Sequence, residues 1–282
     1  AYSLDAAVTG DANTAIGAYA LTANTTGAQN VAVGYDALGD NTTGSNNTAV
    51  GRNALTANTT GISNVAVGDI ALDANTTGTN NTSVGRSSLG TNTTGSNLTA
   101  YGRKALFSNT TGDDNTAVGF QALYTNTTGT GNVGVGNSAL DSNTTASNVT
   151  AVGYRALYSN TTGASNTAFG KSALDANTTG EQNTAVGHNA LVLSTTADEN
   201  TAVGYSALFY NTTGAHNTAV GHDALENVTT GSYNEGFGRD AGRNITTGSS
   251  NCCIGHNAND ANNTAAVTAV GSFCLSSNEA DY

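Results

Sequence analysis

The sequence predicts an all-β protein, a β-solenoid (β-roll) wound in about sixteen coils of 17 residues each. Three observations predict it. The signature Asn-Thr-Thr-Gly begins at Asn24, Asn41, Asn58, Asn75, Asn92, Asn109, Asn126, Asn160, Asn177 and Asn211, and recurs altered at Asn143, Ser194, Val228 and Ile245. The spacing is 17 residues throughout, with no insertion from about Ala7 to Ala261. Val and Leu return at fixed places in the unit, and low-complexity disorder has no reason to keep such a register.

With the unit numbered 1 to 17 from the Asn of Asn-Thr-Thr-Gly, each element can be justified in turn. Gly at position 11 and Gly at position 4 predict two corners, because Gly tolerates positive φ and close backbone approach. Between them Asn-Thr-Ala-Val reads as a strand of about four residues. Ala-Leu at positions 14 and 15, as in Ala37-Leu38 and Ala54-Leu55, reads as a second apolar strand. A helical reading fails, since Asn, Thr and Gly are poor helix formers. Side chains alternate along a strand, so positions 8 and 10 share one face and positions 7 and 9 the other. Position 9 is almost always Ala, and that small-residue face is expected to meet another backbone closely. That backbone is either the other wall of the same coil or a second copy of the chain. Asn at positions 1 and 7 is expected to stack on its copies and hydrogen-bond along the coils.

Three stretches follow from the repeat. Residues 1–6 read as a short N-terminal strand, 7–261 as the solenoid, and 262–282 as a degenerate last coil with a polar tail. After Ala261 the phase slips by one, so that Ala269-Val270-Gly271 and Cys274-Leu275 stand where Ala-Val-Gly and Ala-Leu belong. No charged or helical cap is evident, and open strand edges invite stacking onto another copy.

Composition narrows the function. The chain has 282 residues, no Pro, Met or Trp, 35 Gly, and a formal charge of −12 with only 10% of residues charged. That balance argues against nucleic acid and against a polybasic membrane contact. No segment approaches the roughly 20 apolar residues of a membrane span. The opening Ala1-Tyr2-Ser3 has the form of a processed secreted protein or an excised piece.

The string Asn-Thr-Ala-Val-Gly-x-x-Ala-Leu resembles the head repeats of YadA-like trimeric autotransporter adhesins, and related repeats of phage tail fibres. The resemblance spans roughly Ala7 to Leu275 and rests on in-phase repetition of a short motif. It implies a left-handed β-roll with three chains packed side by side. The period departs from the family's shorter coil, and the family's coiled-coil stalk and C-terminal anchor strands have no counterpart here.

Candidate sites are surfaces rather than catalytic centres. Asn-Thr-Thr is an Asn-x-Thr acceptor, so Asn24, Asn41, Asn58, Asn75, Asn92, Asn109, Asn126, Asn143, Asn160, Asn177 and Asn211 are candidate glycosylation sites, set against a plain turn role or O-linked sugars on the Thr array. Position 12 carries Arg52, Arg86, Arg103, Lys171 and Arg239, with Tyr35, Phe120, Tyr154 and Tyr205 in other coils. Position 16 adds Phe107, Tyr124, Tyr158 and Phe209. Aromatic groups beside basic ones could bind glycans, contact a neighbouring copy, or simply stack as a ladder. His188, His222 and His256 recur two coils apart, roughly 9.6 Å, too far to share a metal. A disulfide between Cys253 and Cys274 is one option and three buried thiols another. No nucleophile, metal set or cofactor motif is nominated.

The expected function is that of a secreted structural subunit of an extracellular fibre or surface appendage, not an enzyme. Its expected partner is itself, as a trimer or polymer, meeting through solenoid ends and small-residue faces. The alternative is an adhesin or tail-fibre shaft binding surface glycans through positions 12 and 16. A lower-ranked alternative is an ice-binding solenoid using the Thr25, Thr42, Thr59 row.

Overall fold

A computed structural model describes residues 3–4, 9–259, 263 and 265–276. The fold is an all-β parallel solenoid of sixteen three-residue strands, with no helix among the described residues. The chain divides into two compact units, Ala1–Thr145 and Ala146–Tyr282. The first holds β1 (Thr14–Ile16) through β8 (Val133–Val135), and the second holds β9 (Thr150–Val152) through β16 (Thr268–Val270). Within each unit successive strands pair in parallel, like position on like position. Thr48, Ala49 and Val50 face Val65, Ala66 and Val67 in the first unit. Thr184, Ala185 and Val186 face Thr201, Ala202 and Val203 in the second.

The inter-coil bonds continue past the strands and around the coil. Thr42 N donates to Thr59 O at 3.0 Å and Leu38 N to Ala54 O at 3.0 Å, toward the following coil. Asn46 N donates to Ala28 O at 3.0 Å and Asn53 N to Tyr35 O at 2.9 Å, toward the preceding one. At position 5 a side chain takes over as acceptor. Ala28 N donates to Ser45 Oγ at 3.0 Å, and Ser96 N donates to Asp113 Oδ1 at 2.7 Å. A buried backbone group without a partner is costly, and this winding leaves few.

The interior is thin. Positions 9, 14 and 15 are fully buried, as in Ala49, Ala54 and Leu55. Position 9 meets the far wall of its own coil. Where both walls carry a hydroxyl, Ser83 Oγ bonds Ser88 Oγ at 2.5 Å. A Cβ built on Gly134 would lie 3.3 Å from the Leu123 side chain and 3.3 Å from the Ala139 carbonyl. The small-residue face is therefore interior, and assembly through it is corrected: the opposite wall occupies the space a second copy would need.

The second strand is also corrected. Positions 12 to 17 form a turn, because residues on either side of Ala54 are left-handed: Asn53 at φ 55° and Leu55 at φ 54°. Asn tolerates that region, whereas Leu does so at a cost of roughly 1–2 kcal/mol. Burying the Leu side chain returns about 1.5–3 kcal/mol, which offsets the strain. The two Gly corners differ in kind. Gly51 sits at φ 142° and its added Cβ would fall onto the Gly68 carbonyl. Gly44 lacks a positive φ; a Cβ there would fall onto the Gly61 carbonyl oxygen of the next coil and lie 2.5 Å from Asn41 Oδ1, an amide contact that Gly51 lacks.

The slip near the C-terminus is accommodated in register. Cys252, Cys253 and Ile254 pair with Thr268, Ala269 and Val270, a step one residue short. Of the expected N-terminal strand 1–6, residues 3 and 4 are described. Leu4 is left-handed at φ 53° and its N–H donates to Ala20 O at 3.1 Å, so it is not extended. Residues 1, 2, 5 and 6 of that expectation, and 277–282 of the polar tail, lie outside the described residues.

Gly51→Ala combines backbone strain with a clash, so thermal or urea unfolding is expected to show a loss of about 3 kcal/mol. An unchanged midpoint would refute the corner geometry.

Candidate functional site

The buried Asn residues form two different ladders. At position 1 the amides bond one another: Asn58 Nδ2 donates to Asn41 Oδ1 at 2.8 Å, and Asn75 Nδ2 to Asn58 Oδ1 at 2.9 Å. At position 7 the bond runs through the backbone: Asn47 N donates to Asn30 Oδ1 and Asn64 N to Asn47 Oδ1, both at 2.9 Å. The Gly61 carbonyl joins the two, accepting from Asn58 Nδ2 at 3.1 Å and from Asn47 Nδ2 at 2.9 Å. All eleven candidate acceptors, Asn24 through Asn211, are fully buried. Their Nδ2 atoms, where a sugar would attach, point into the ladder. A sugar there would have to be added before the coil closes and would displace these bonds.

The two Thr rows differ in what their hydroxyls bind and, after the first coil, in exposure. Thr25 Oγ1 donates to Thr42 O and Thr42 Oγ1 to Thr59 O, both at 3.0 Å, so the position 2 hydroxyls bind the next coil. Thr26, Thr43 and Thr60 at position 3 are the exposed row.

Positions 12, 13 and 16 form one corner. Arg52 pairs with Asp69 at 2.8 Å, and Arg86 reaches the same carboxylate at 3.5 Å. Tyr35 packs edge-on to Tyr19 at 5.6 Å, and Tyr205 lies between His188 and His222 at 5.3 and 4.9 Å. Arg103 lies 5.5 Å over Phe120. Tyr154 is exposed, and so is Lys171. Position 13, which the sequence reading did not single out, bridges the other two rows. Lys104 Nζ lies 5.5 Å over Phe107 and 5.4 Å over Tyr124, whose rings stack at 5.5 Å. Arg155 makes a two-pronged pair with Asp175 at 3.0 and 2.9 Å and covers Tyr158 at 4.3 Å. The Asp175 hydrogen bond leads the causes that hold the Arg155 pKa above its ordinary value. The signal for this row was present: Lys104, Arg155, Asp223 and Asp240 share one phase of the repeat.

Near the end of the chain these phases build an ion network. Ligand atoms of His222, Asp223 and Asp240 lie within 4.8 Å of one another. Guanidinium groups already sit on the carboxylates: Arg239 at 3.0 Å from Asp240, and Arg243 at 3.4 Å from Asp240 and 2.6 Å from Glu226. Cys252, Cys253 and Cys274 are free thiols, so of the two options the Cys253–Cys274 bond is not formed, and of the three thiols Cys253 alone is buried. Cys253 takes the buried position 9, and desolvation leads the causes that push its thiol pKa up.

The outward strand face is uniform in residue type. Position 10 is apolar in all sixteen strands, and position 8 is Thr, Val or Cys everywhere except Glu235. No known family model and no curated protein matches this chain.

The position 1 ladder breaks at Ser194, which is too short to span it, and Asn177 Oδ1 and Ser194 Oγ are left buried without partners. Asn211 Oδ1 is left likewise, because the next coil carries Val228 in place of an amide donor. Ser194→Asn with Ala197→Gly restores the common unit and is expected to stabilise the fold by about 1–2 kcal/mol. A denaturant midpoint that stays or falls would count against the ladder as a source of stability.

Proposed function

We propose that this chain is a structural subunit of an extracellular fibre or surface appendage, assembled from copies of itself. One observation carries the reading. The solvent side of the strands holds the larger apolar residues: Ile16, Tyr101, Phe169 and Val270 are 60%, 59%, 56% and 62% exposed. An uncharged apolar strip of this regularity is the kind of surface that marks an interaction site. A chain of net charge −12 repels its copies, and this face brings almost no charge together. Strand edges add a second contact, since β1 and β16 each pair on one side only among the described strands. The extracellular setting rests on the motif's resemblance to YadA-like heads and tail-fibre repeats, as does side-by-side packing.

A second reading, a shaft that binds surface glycans, is favoured by the ring-and-cation corner at Lys104, Phe107 and Tyr124. Half-buried rings with a cation fixed over them suit a saccharide as well as a protein.

Electron microscopy of the purified chain is expected to show filaments or bundles. Val50→Asp with Val118→Asp places charge on the exposed face and is expected to abolish them while circular dichroism stays β-rich. Short single particles from the unaltered chain, together with glycan-array binding lost in Phe107→Ala/Tyr124→Ala, would overturn the fibre reading in favour of the shaft.

A further inference from the structure

Resting on the self-assembly reading, we infer that copies also meet edge to edge, the acidic edge of one against an unneutralised cationic corner of the next. The cations are confined to one side of the strands, where they share the corner with acids such as Asp69, Asp175 and Asp240. All eight Lys and Arg lie at positions 12, 13 or 16, beyond the C-terminal end of the short strands. Before their N-terminal end, positions 5 and 6 carry Asp11, Asp113, Asp114, Glu181, Asp198 and Glu199, with no Lys or Arg.

The cations are not equivalent. Arg52, Arg86, Arg155, Arg239 and Arg243 all have carboxylate partners. Arg103, Lys104 and Lys171 form no ion pair among the described residues; of these, Arg103 and Lys104 are adjacent on one corner. They are held instead by rings, Arg103 over Phe120 at 5.5 Å and Lys104 over Phe107 and Tyr124 at 5.5 and 5.4 Å. A side chain fixed by cation–π contact keeps its charge available and loses less freedom on binding. On the other edge, Asp113 accepts from Ser96 N at 2.7 Å and Asp114 from Asn97 Nδ2 at 3.0 Å. Both carboxylates are exposed, and neither has a Lys or Arg partner.

The occupant is a second copy, because the complement of Arg103-Lys104 is present in the same sequence as Asp113-Asp114. The acids lie one coil further on. Copies related by translation, staggered by about one coil or 4.8 Å, bring pair against pair. Such a contact uses different patches on the two partners, does not close on itself, and propagates sideways. It would gather chains joined through the apolar face into sheets or bundles. Opposite charges at a rim steer and register more than they bind, so the contact is sensitive to salt.

Sedimentation of the full chain at low and high salt tests this. The unaltered chain is expected to form salt-sensitive lateral assemblies. Arg103→Glu/Lys104→Glu and Asp113→Lys/Asp114→Lys are each expected to weaken them about tenfold or more. The four changes combined in one chain should restore association. All these side chains are on the surface, and β-rich circular dichroism confirms that each variant folds. Assembly unaffected by either reversal overturns this inference alone and leaves the fibre reading standing. A chain monomeric in every condition overturns both. Loss on reversal without rescue, with hyaluronan binding removed by Arg103→Glu/Lys104→Glu, assigns the corner to an acidic polysaccharide instead.

Discussion

The structure depends on buried amides keeping neighbouring laps of chain in step. A coil of this kind has little apolar mass to hold it, since its interior is Ala, Leu and Gly. What closes it is the carbonyl of the position 4 Gly, which receives two Asn side chains, one from its own coil and one from the coil before. Those bonds are satisfied when successive laps have equal length, so an insertion would strand several polar groups at once. Stranded buried groups cost more than the made bond contributes, and this asymmetry enforces the period. The departures show that cost. Val228 and Ile245 replace the Asn in consecutive coils, so nothing polar is stranded between those two, but Asn211 Oδ1, one coil before Val228, is left buried without a partner. The one-residue-short step to β16 comes just after the last position 7 Asn, whose Oδ1 accepts from Val267 N at 3.0 Å.

The polarity of the two strand faces reverses the usual assignment of small outside and large inside. Ala fills the interior because the facing wall, Leu at position 15 and Ala at position 14, leaves room for little more than a methyl group. Val, Tyr and Phe go outward because the interior cannot hold them. A coil has no second layer of its own to cover that face. The same narrowness that makes the fold cheap in side-chain volume leaves an apolar surface facing solvent.

Chemistry at the corner is organised by stacking along the coils. Pairs a single lap apart come within reach whatever their type: Arg with Asp, His with Tyr, Phe with Tyr. The Arg–Asp pairs neutralise charge locally, and the ring contacts stack along the same corner. Arg103 and Lys104 stand apart because rings, not carboxylates, hold them.

Period, class and the existence of Asn ladders were legible in the residues alone, because identical units in parallel register put every position on its own copy. Alternation also separated position 9 from position 10. It did not say which of the two faced inward, since that depends on how close the other wall lies. Nor did it reveal that Ala-Leu forms a turn: an apolar pair reads as a strand, and left-handed φ at Leu55 is tolerated because burial offsets it. The Asn-Thr-Thr acceptor pattern looked like a surface feature because a motif carries no burial. Repetition, then, settled the winding; the width of the coil, a property of both walls together, decided what is inside, what is outside and which side chains remain free to meet another molecule.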